Sequence, residues 1–147
     1  IDAQEPDLNY PSAKSDEASM EIVRVSMGEL PRRFEAVAIG CGEDLVVSVG
    51  GGSRYHVGAV ATAVVSPSLK DNLHLTGSAS VITVPGHKED EIARSAALRL
   101  ARALQCTVVL TAGIHIDNAN PQEIAALVAD FDALIEHLLA ALQSRVR

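Results

Sequence analysis

Residues 78–113 read SASVITVPGHKEDEIARSAALRLARALQCTVVLTAG, and the periodicity of the chain changes twice within them. Residues 78–84 alternate as a strand does, and Pro85-Gly86 stops the run. Ile92, Ala93, Ala96, Ala97, Leu100, Ala103 and Leu104 then recur at helical spacing, while Arg94, Arg99 and Arg102 fall on other faces. This predicts an amphipathic helix over residues 89–104, and Glu89, Asp90 and Glu91 suit its positive N-terminal end. Residues 107–113 form a near-continuous apolar strand. Strand, helix and strand at these lengths predict a right-handed parallel crossover, with neighbours covering both faces of the last strand.

Upstream lie three β-rich runs at residues 20–27, 33–41 and 45–49, divided by Gly28-Glu29-Leu30-Pro31 and Gly42-Glu43-Asp44. Alternation with turn-rich spacers predicts an antiparallel meander. A fourth run, 57–65, ends at Ser66-Pro67-Ser68, and its Gly58, Ala59 and Ala61 leave room for a helix or a ligand to lie close. Downstream, Asn120 as N-cap, Pro121 at the first helical position and Glu123 mark a helix start. Ile124, Leu127, Val128, Phe131, Leu134, Ile135, Leu138 and Leu142 form its apolar stripe. The expected fold class is α+β: a single mixed, mainly antiparallel sheet of about six strands with two helices packed on it. Residues 1–18 have no periodicity and read as a disordered acidic tail, leaving residues 19–147 as one domain.

The 147 residues carry a net charge of −7, of which −4 falls in residues 1–18 and −3 in the rest. That balance argues against a nucleic-acid surface, which needs a basic face. No apolar run approaches the roughly 20 residues of a membrane-spanning helix. The chain opens on Ile1 rather than Met, as a fragment or processed product would, and its first residues lack the basic start and apolar run of a signal peptide. A cytoplasmic location is the expectation. Cys41 and Cys106 have no metal-ligand spacing and read as two buried thiols.

Three polar clusters stand at strand ends: residues 50–58 (GGGSRYHVG), 85–89 (PGHKE) and 113–118 (GIHIDN). Each joins glycine, which lets backbone approach a ligand, to a histidine and a charged neighbour. His56, His87 and His115 together suggest a shared pocket at one sheet edge, whereas His74 and His137 stand alone and read as surface residues. The amides of Gly50-Gly51-Gly52 offer a phosphate cradle that Arg54 could grip, and the helix start at Gly86-His87-Lys88-Glu89 offers a second anion site. The histidines with Asp117 or Glu89 resemble a zinc set in residue type only. They lack HxH or HExxH spacing, so no metal is expected. No GxSxG elbow or cysteine with an evident base suggests nucleophilic catalysis.

In order, Gly51 to Ala61, Pro85 to Glu89 and Ala112 to Asn118 followed by a helix resemble the small bacterial prenylated-flavin chaperone domain. That domain is the D subunit of gallate- and hydroxybenzoate-type decarboxylases, related in fold to proteasome assembly chaperones. The resemblance covers roughly residues 20–142. It implies a non-catalytic subunit, a homodimer, that binds reduced prenylated FMN, or FMN. It would deliver the cofactor to, or protect it for, a UbiD-like decarboxylase of aromatic acids. The implied cofactor-binding residues are Gly52, Arg54 and His56 in the first motif, Gly86, His87, Lys88 and Glu89 in the second, and His115, Asp117 and Asn118 in the third. Two other readings stand beside it: an assembly-chaperone-like interaction module without cofactor, and a histidine-based metal-dependent enzyme.

Overall fold

The computed structural model describes residues 20–67 and 75–144. The tail expected over residues 1–18 lies outside them, as does His74. Strands β1 (Ile22–Met27), β2 (Arg33–Cys41), β3 (Asp44–Gly52), β4 (Ala59–Pro67) and β5 (Leu75–Thr83) precede helix α1 (Asp90–Leu104). Strand β6 (Val108–His115) and helix α2 (Pro121–Gln143) complete the chain order. The fold is α+β: one six-stranded sheet ordered β1-β2-β3-β6-β4-β5, mixed and mainly antiparallel, with two helices on it.

β1, β2 and β3 form the expected meander, and β4 and β5 form a second antiparallel pair. β6 joins the two halves, running parallel to β3 on one side and antiparallel to β4 on the other. β5 and β6 therefore run in the same direction, as the strand–helix–strand pattern predicts, but β4 lies between them. The register aligns Val23, Ala38, Val47, Leu110, Ala61 and Val81 in one row across all six strands. This row faces the helices and forms part of a single core.

α1 presents Ala93, Ala96, Ala97, Leu100 and Ala101 toward a sheet face that on β4 is Ala59, Ala61 and Ala63, all buried. Small side chains on both surfaces bring helix and strand close, so the room left on β4 is filled by α1. α2 buries Leu127, Phe131, Leu134, Ile135, Leu138 and Leu142, packing on β1 and β2. Its start is as predicted: the Asn120 side chain accepts from the Glu123 N–H at 2.8 Å, and Pro121 is the first helical residue. No helix among the described residues is long and apolar enough to cross a membrane.

Four expectations change. Both helices sit on one face rather than covering both, which agrees with the strict buried–exposed alternation along β1 and β3 up to Val49; a doubly covered sheet would be buried throughout. On the open face the Thr111 hydroxyl donates to Ser48 Oγ at 3.0 Å. Second, Gly50-Gly51-Gly52 is not a loop but the end of β3, paired with β2 and β6. Glycine is required there by packing: a Cβ on Gly51 would lie 2.4 Å from the Phe34 ring opposite it, and one on Gly50 would lie 2.5 Å from Tyr55. Amides enclosed between two strands do not offer an open phosphate cradle.

Third, Ile124 is 51% exposed and Val128 38%. Ile124 falls in the first turn, ahead of the packed stretch that starts at Leu127, and Val128 lies on the rim of the stripe. Fourth, Cys41 is exposed beside the β2–β3 turn, whereas Cys106 is partly covered, and both are free thiols. Burial, followed by the charges of Asp44 and Glu43, pushes the Cys106 thiol up to about 11.

Two measurements check this packing. Phe131→Ala should lower unfolding free energy by about 3–5 kcal/mol, while Ile124→Ala should cost under about 0.5 kcal/mol, both read from denaturant midpoints. A thiol reagent at pH 8 should modify Cys41 quickly and Cys106 slowly, since a group with a pKa near 11 is only about 0.1% thiolate there. Cys41→Ser should remove the fast phase.

Candidate functional site

The parallel register pairs Gly52 of β3 with His115 of β6, so both strands end side by side. The chain leaving β3 turns back over this end: the Ser53 N–H donates to the His115 carbonyl at 2.8 Å, and the Gly58 N–H to the Ala112 carbonyl at 2.9 Å. The chain leaving β5 crosses the same place, where the Val84 N–H donates to the Gly58 carbonyl at 2.8 Å. Three segments that each carry a histidine are thereby pinned to one corner of the sheet. Two glycines permit this. A Cβ on Gly113 would stand 1.7 Å from the His56 carbonyl oxygen, and one on Gly52, at φ +83°, would stand 2.1 Å from that of His115.

Glu89 occupies the centre of the corner. It is only 8% exposed, and it stands at the N-cap position of α1 without capping the helix through its side chain. The carboxylate turns instead to His56, whose Nε2–H donates to Oε1 at 3.0 Å; the Ile114 N–H reaches the same oxygen at 3.3 Å. The other oxygen, Oε2, is buried and has no hydrogen-bond partner. His87 Nδ1 lies 4.0 Å from it. The His56 and His87 rings are tilted by 34° with centroids 4.5 Å apart, and the His115 ring stands edge-on to His56 at 6.3 Å.

A second pair lies beside the first. His115 Nε2 is 2.7 Å from Asp117 Oδ1 and 3.4 Å from Arg54 Nη2. A guanidinium only donates, and so does the ring nitrogen once it bonds the carboxylate. The ring therefore donates to Asp117, whose carboxylate also feels the charge of the nearby Arg54. The His115 hydrogen bond, then the charges of His115 and Arg54, hold the Asp117 carboxyl below its usual range. Tyr55, over Gly50, is shifted upward by burial first and by Glu35 second.

Of the ten residues singled out in the sequence, Arg54, His56, His87, Glu89, His115 and Asp117 converge in these contacts, and Gly52 supports the corner from the strand end. Lys88 is exposed beside them and makes no ion pair among the described residues. Gly86, at φ +85° with open space where a Cβ would be, and Asn118, at φ +54°, shape the adjoining turns rather than touch the cluster. The helix start is not an empty anion hole, because the buried Glu89 carboxylate already brings negative charge there. Sequence reasoning missed Ser53, whose Oγ also donates to the His115 carbonyl at 3.1 Å, and the Ile114 amide. Backbone donors and close approaches leave no pattern in side-chain identity.

Comparison with known proteins shows what the chain as a whole is similar to. Residues 29–143 match the family described as the prenylated flavin chaperone LpdD-like domain. Protein LpdD of Lactiplantibacillus plantarum is 28% identical over 112 residues, covering 76% of this chain and 79% of that protein. Among solved structures, one titled as a novel chaperone complex for yeast 20S proteasome assembly aligns with a TM-score of 0.56 at 14% identity. The alignment covers 87% of this chain and 98% of that one, a likeness of fold.

The close approach at Gly113 gives a direct test. Gly113→Ala sets a methyl against a backbone carbonyl, which no side-chain rotation relieves, so it should cost about 1–3 kcal/mol or more in chemical denaturation. Gly86→Ala meets no steric contact, and any cost there reports backbone strain at positive φ alone, of order 1 kcal/mol.

Proposed function

This chain belongs to the family of prenylated flavin chaperone LpdD-like domains, and from that premise we propose that it is a non-catalytic accessory subunit that binds reduced prenylated FMN at the β3–β6 corner. It then delivers the cofactor to, or protects it for, a UbiD-like decarboxylase in the cytoplasm, working as a homodimer. The observation that carries the reading is the convergence of three imidazoles with Arg54 at one sheet corner, inside the family match. The residues suit a phosphorylated flavin in kind. Imidazole faces can lie against a planar ring system, and the guanidinium of Arg54 and the ammonium of Lys88 are the groups that bind phosphate. Gly52, Gly86 and Asn118 form the turns around that space, and Glu89 and Asp117 orient the rings.

The family match supports a holding role. Ser53, the hydroxyl beside Arg54, donates to a main-chain carbonyl rather than to an imidazole. In the decarboxylase the flavin would supply the chemistry that adds or removes a carboxyl group, and this chain contributes binding and protection. The fold likeness to a proteasome assembly chaperone favours a second reading, an interaction module without cofactor. Retention of flavin separates the two.

Anaerobic titration with reduced prenylated FMN, followed by absorbance or fluorescence, should saturate. No binding of it or of FMN at about 100 μM, weaker than about −5.5 kcal/mol, would overturn the proposal. Arg54→Ala and Lys88→Ala should each weaken binding by about 1.5–3 kcal/mol, the range for hydrogen bonds to charged groups. His115→Ala should lose at least about tenfold in affinity, 1.4 kcal/mol, with little change in melting temperature. Turnover of an aromatic acid by the isolated, cofactor-loaded chain would contradict the accessory role.

A further inference from the structure

His56, His87 and Glu89 each bring one ligand-type atom to the same place, all within 4.8 Å of one another. They come from two segments, His56 from the chain between β3 and β4, and His87 and Glu89 from the approach to α1. From this arrangement we propose that the corner is a transition-metal site, with two imidazole nitrogens and one carboxylate as ligands and at least one coordination position left open.

The independent observation is the unsatisfied oxygen. Glu89 Oε2 is buried without a hydrogen bond, in a side chain nine-tenths removed from solvent. Leaving a buried charged acceptor unpaired is costly, and natural structures seldom do so without a reason such as an ion. His87 stands 4.0 Å from that oxygen, too far for a hydrogen bond but close enough for both to reach a common ion by side-chain rotation. Gly58 keeps the space free: a Cβ there would fall 2.2 Å from Oε2.

The ligand types choose the metal. Imidazole with carboxylate suits zinc, cobalt, manganese or iron(II), whereas calcium and magnesium take oxygen ligands. Bonds of about 2.0–2.2 Å set neighbouring ligand atoms somewhat over 3 Å apart, and the three candidate atoms already lie within 4.8 Å of one another. The Ile114 amide holds Oε1 from behind, the kind of contact that fixes a ligating carboxylate. His56 then changes tautomer: its proton moves through solvent from Nε2 to Nδ1, and the Nε2 lone pair goes to the metal with no net proton change. With two protein nitrogens and one carboxylate, the ion keeps room for water or for an oxyanion. His87, 37% exposed at its side chain, marks the side from which the ion enters.

The proposal does not rest on the flavin reading, and its test contains no flavin. Protein stripped with chelator is titrated with cobalt(II), followed by its visible d–d absorption, and the cobalt is then displaced with zinc. One equivalent should bind and produce the band. His87→Ala, at a partly exposed side chain, should weaken binding at least about tenfold, and Glu89→Gln should do the same. His137→Ala, on the exposed side of α2, should titrate like the parent. Circular dichroism on each variant establishes that it is folded, and His87→Ala keeps the test valid if Glu89→Gln is not. Absence of a d–d band at stoichiometric cobalt would overturn the site, as would unchanged affinity in His87→Ala. Failure here leaves the flavin titration to be judged by its own result.

Discussion

The parallel pairing of β3 with β6 is the contact on which the rest of the molecule depends. It joins the β1-β2-β3 meander to the β4-β5 pair, which otherwise share no strand contact. Parallel strands end at the same edge, so this pairing also brings the last residues of both to one corner. An antiparallel β6 at that position would carry His115 to the opposite edge, away from His56 and Glu89. Fold and candidate site are thus set by a single choice of strand direction.

Around that seam the structure works by leaving atoms out. Alanine faces alanine between β4 and α1, glycine faces Phe34 and Tyr55 in β3, and glycine again admits the carbonyls of His56 and His115. Each missing side chain lets a neighbour come closer than ordinary packing allows. The result is a corner with dense backbone around it and polar side chains collected in its middle. A buried carboxylate is tolerated there because a main-chain amide and an imidazole hold one of its oxygens.

Much of this was legible in the chain itself. The change from period two to period 3.6 and back located β5, α1 and β6, and Asn120-Pro121 with Glu123 located the start of α2. The three histidine motifs were legible because glycine, histidine and charge recur at strand ends. Strand order was not: nothing local says that β6 inserts between β3 and β4. Nor was the role of Gly50 to Gly52, since low strand propensity suggests a loop until the rings lying over those positions are known. The pairing of Glu89 with His56 across 33 residues is likewise a product of topology, and a sequence window at the head of α1 reads that glutamate only as a residue suited to a helix dipole.

The same seam has a consequence in time. Ser48 and Thr111, bonded across it, are 63 residues apart in the chain, so β3 leaves the ribosome long before its partner exists. At translation rates of about 5–20 residues per second, the β3 edge stands open for roughly 3–13 s. An exposed strand edge invites pairing with other chains, and Gly50 to Gly52 at its end is poorly suited to such pairing because glycine disfavours extended stacks. The residues that make room in the finished protein are thus also the part of that edge with the least strand propensity.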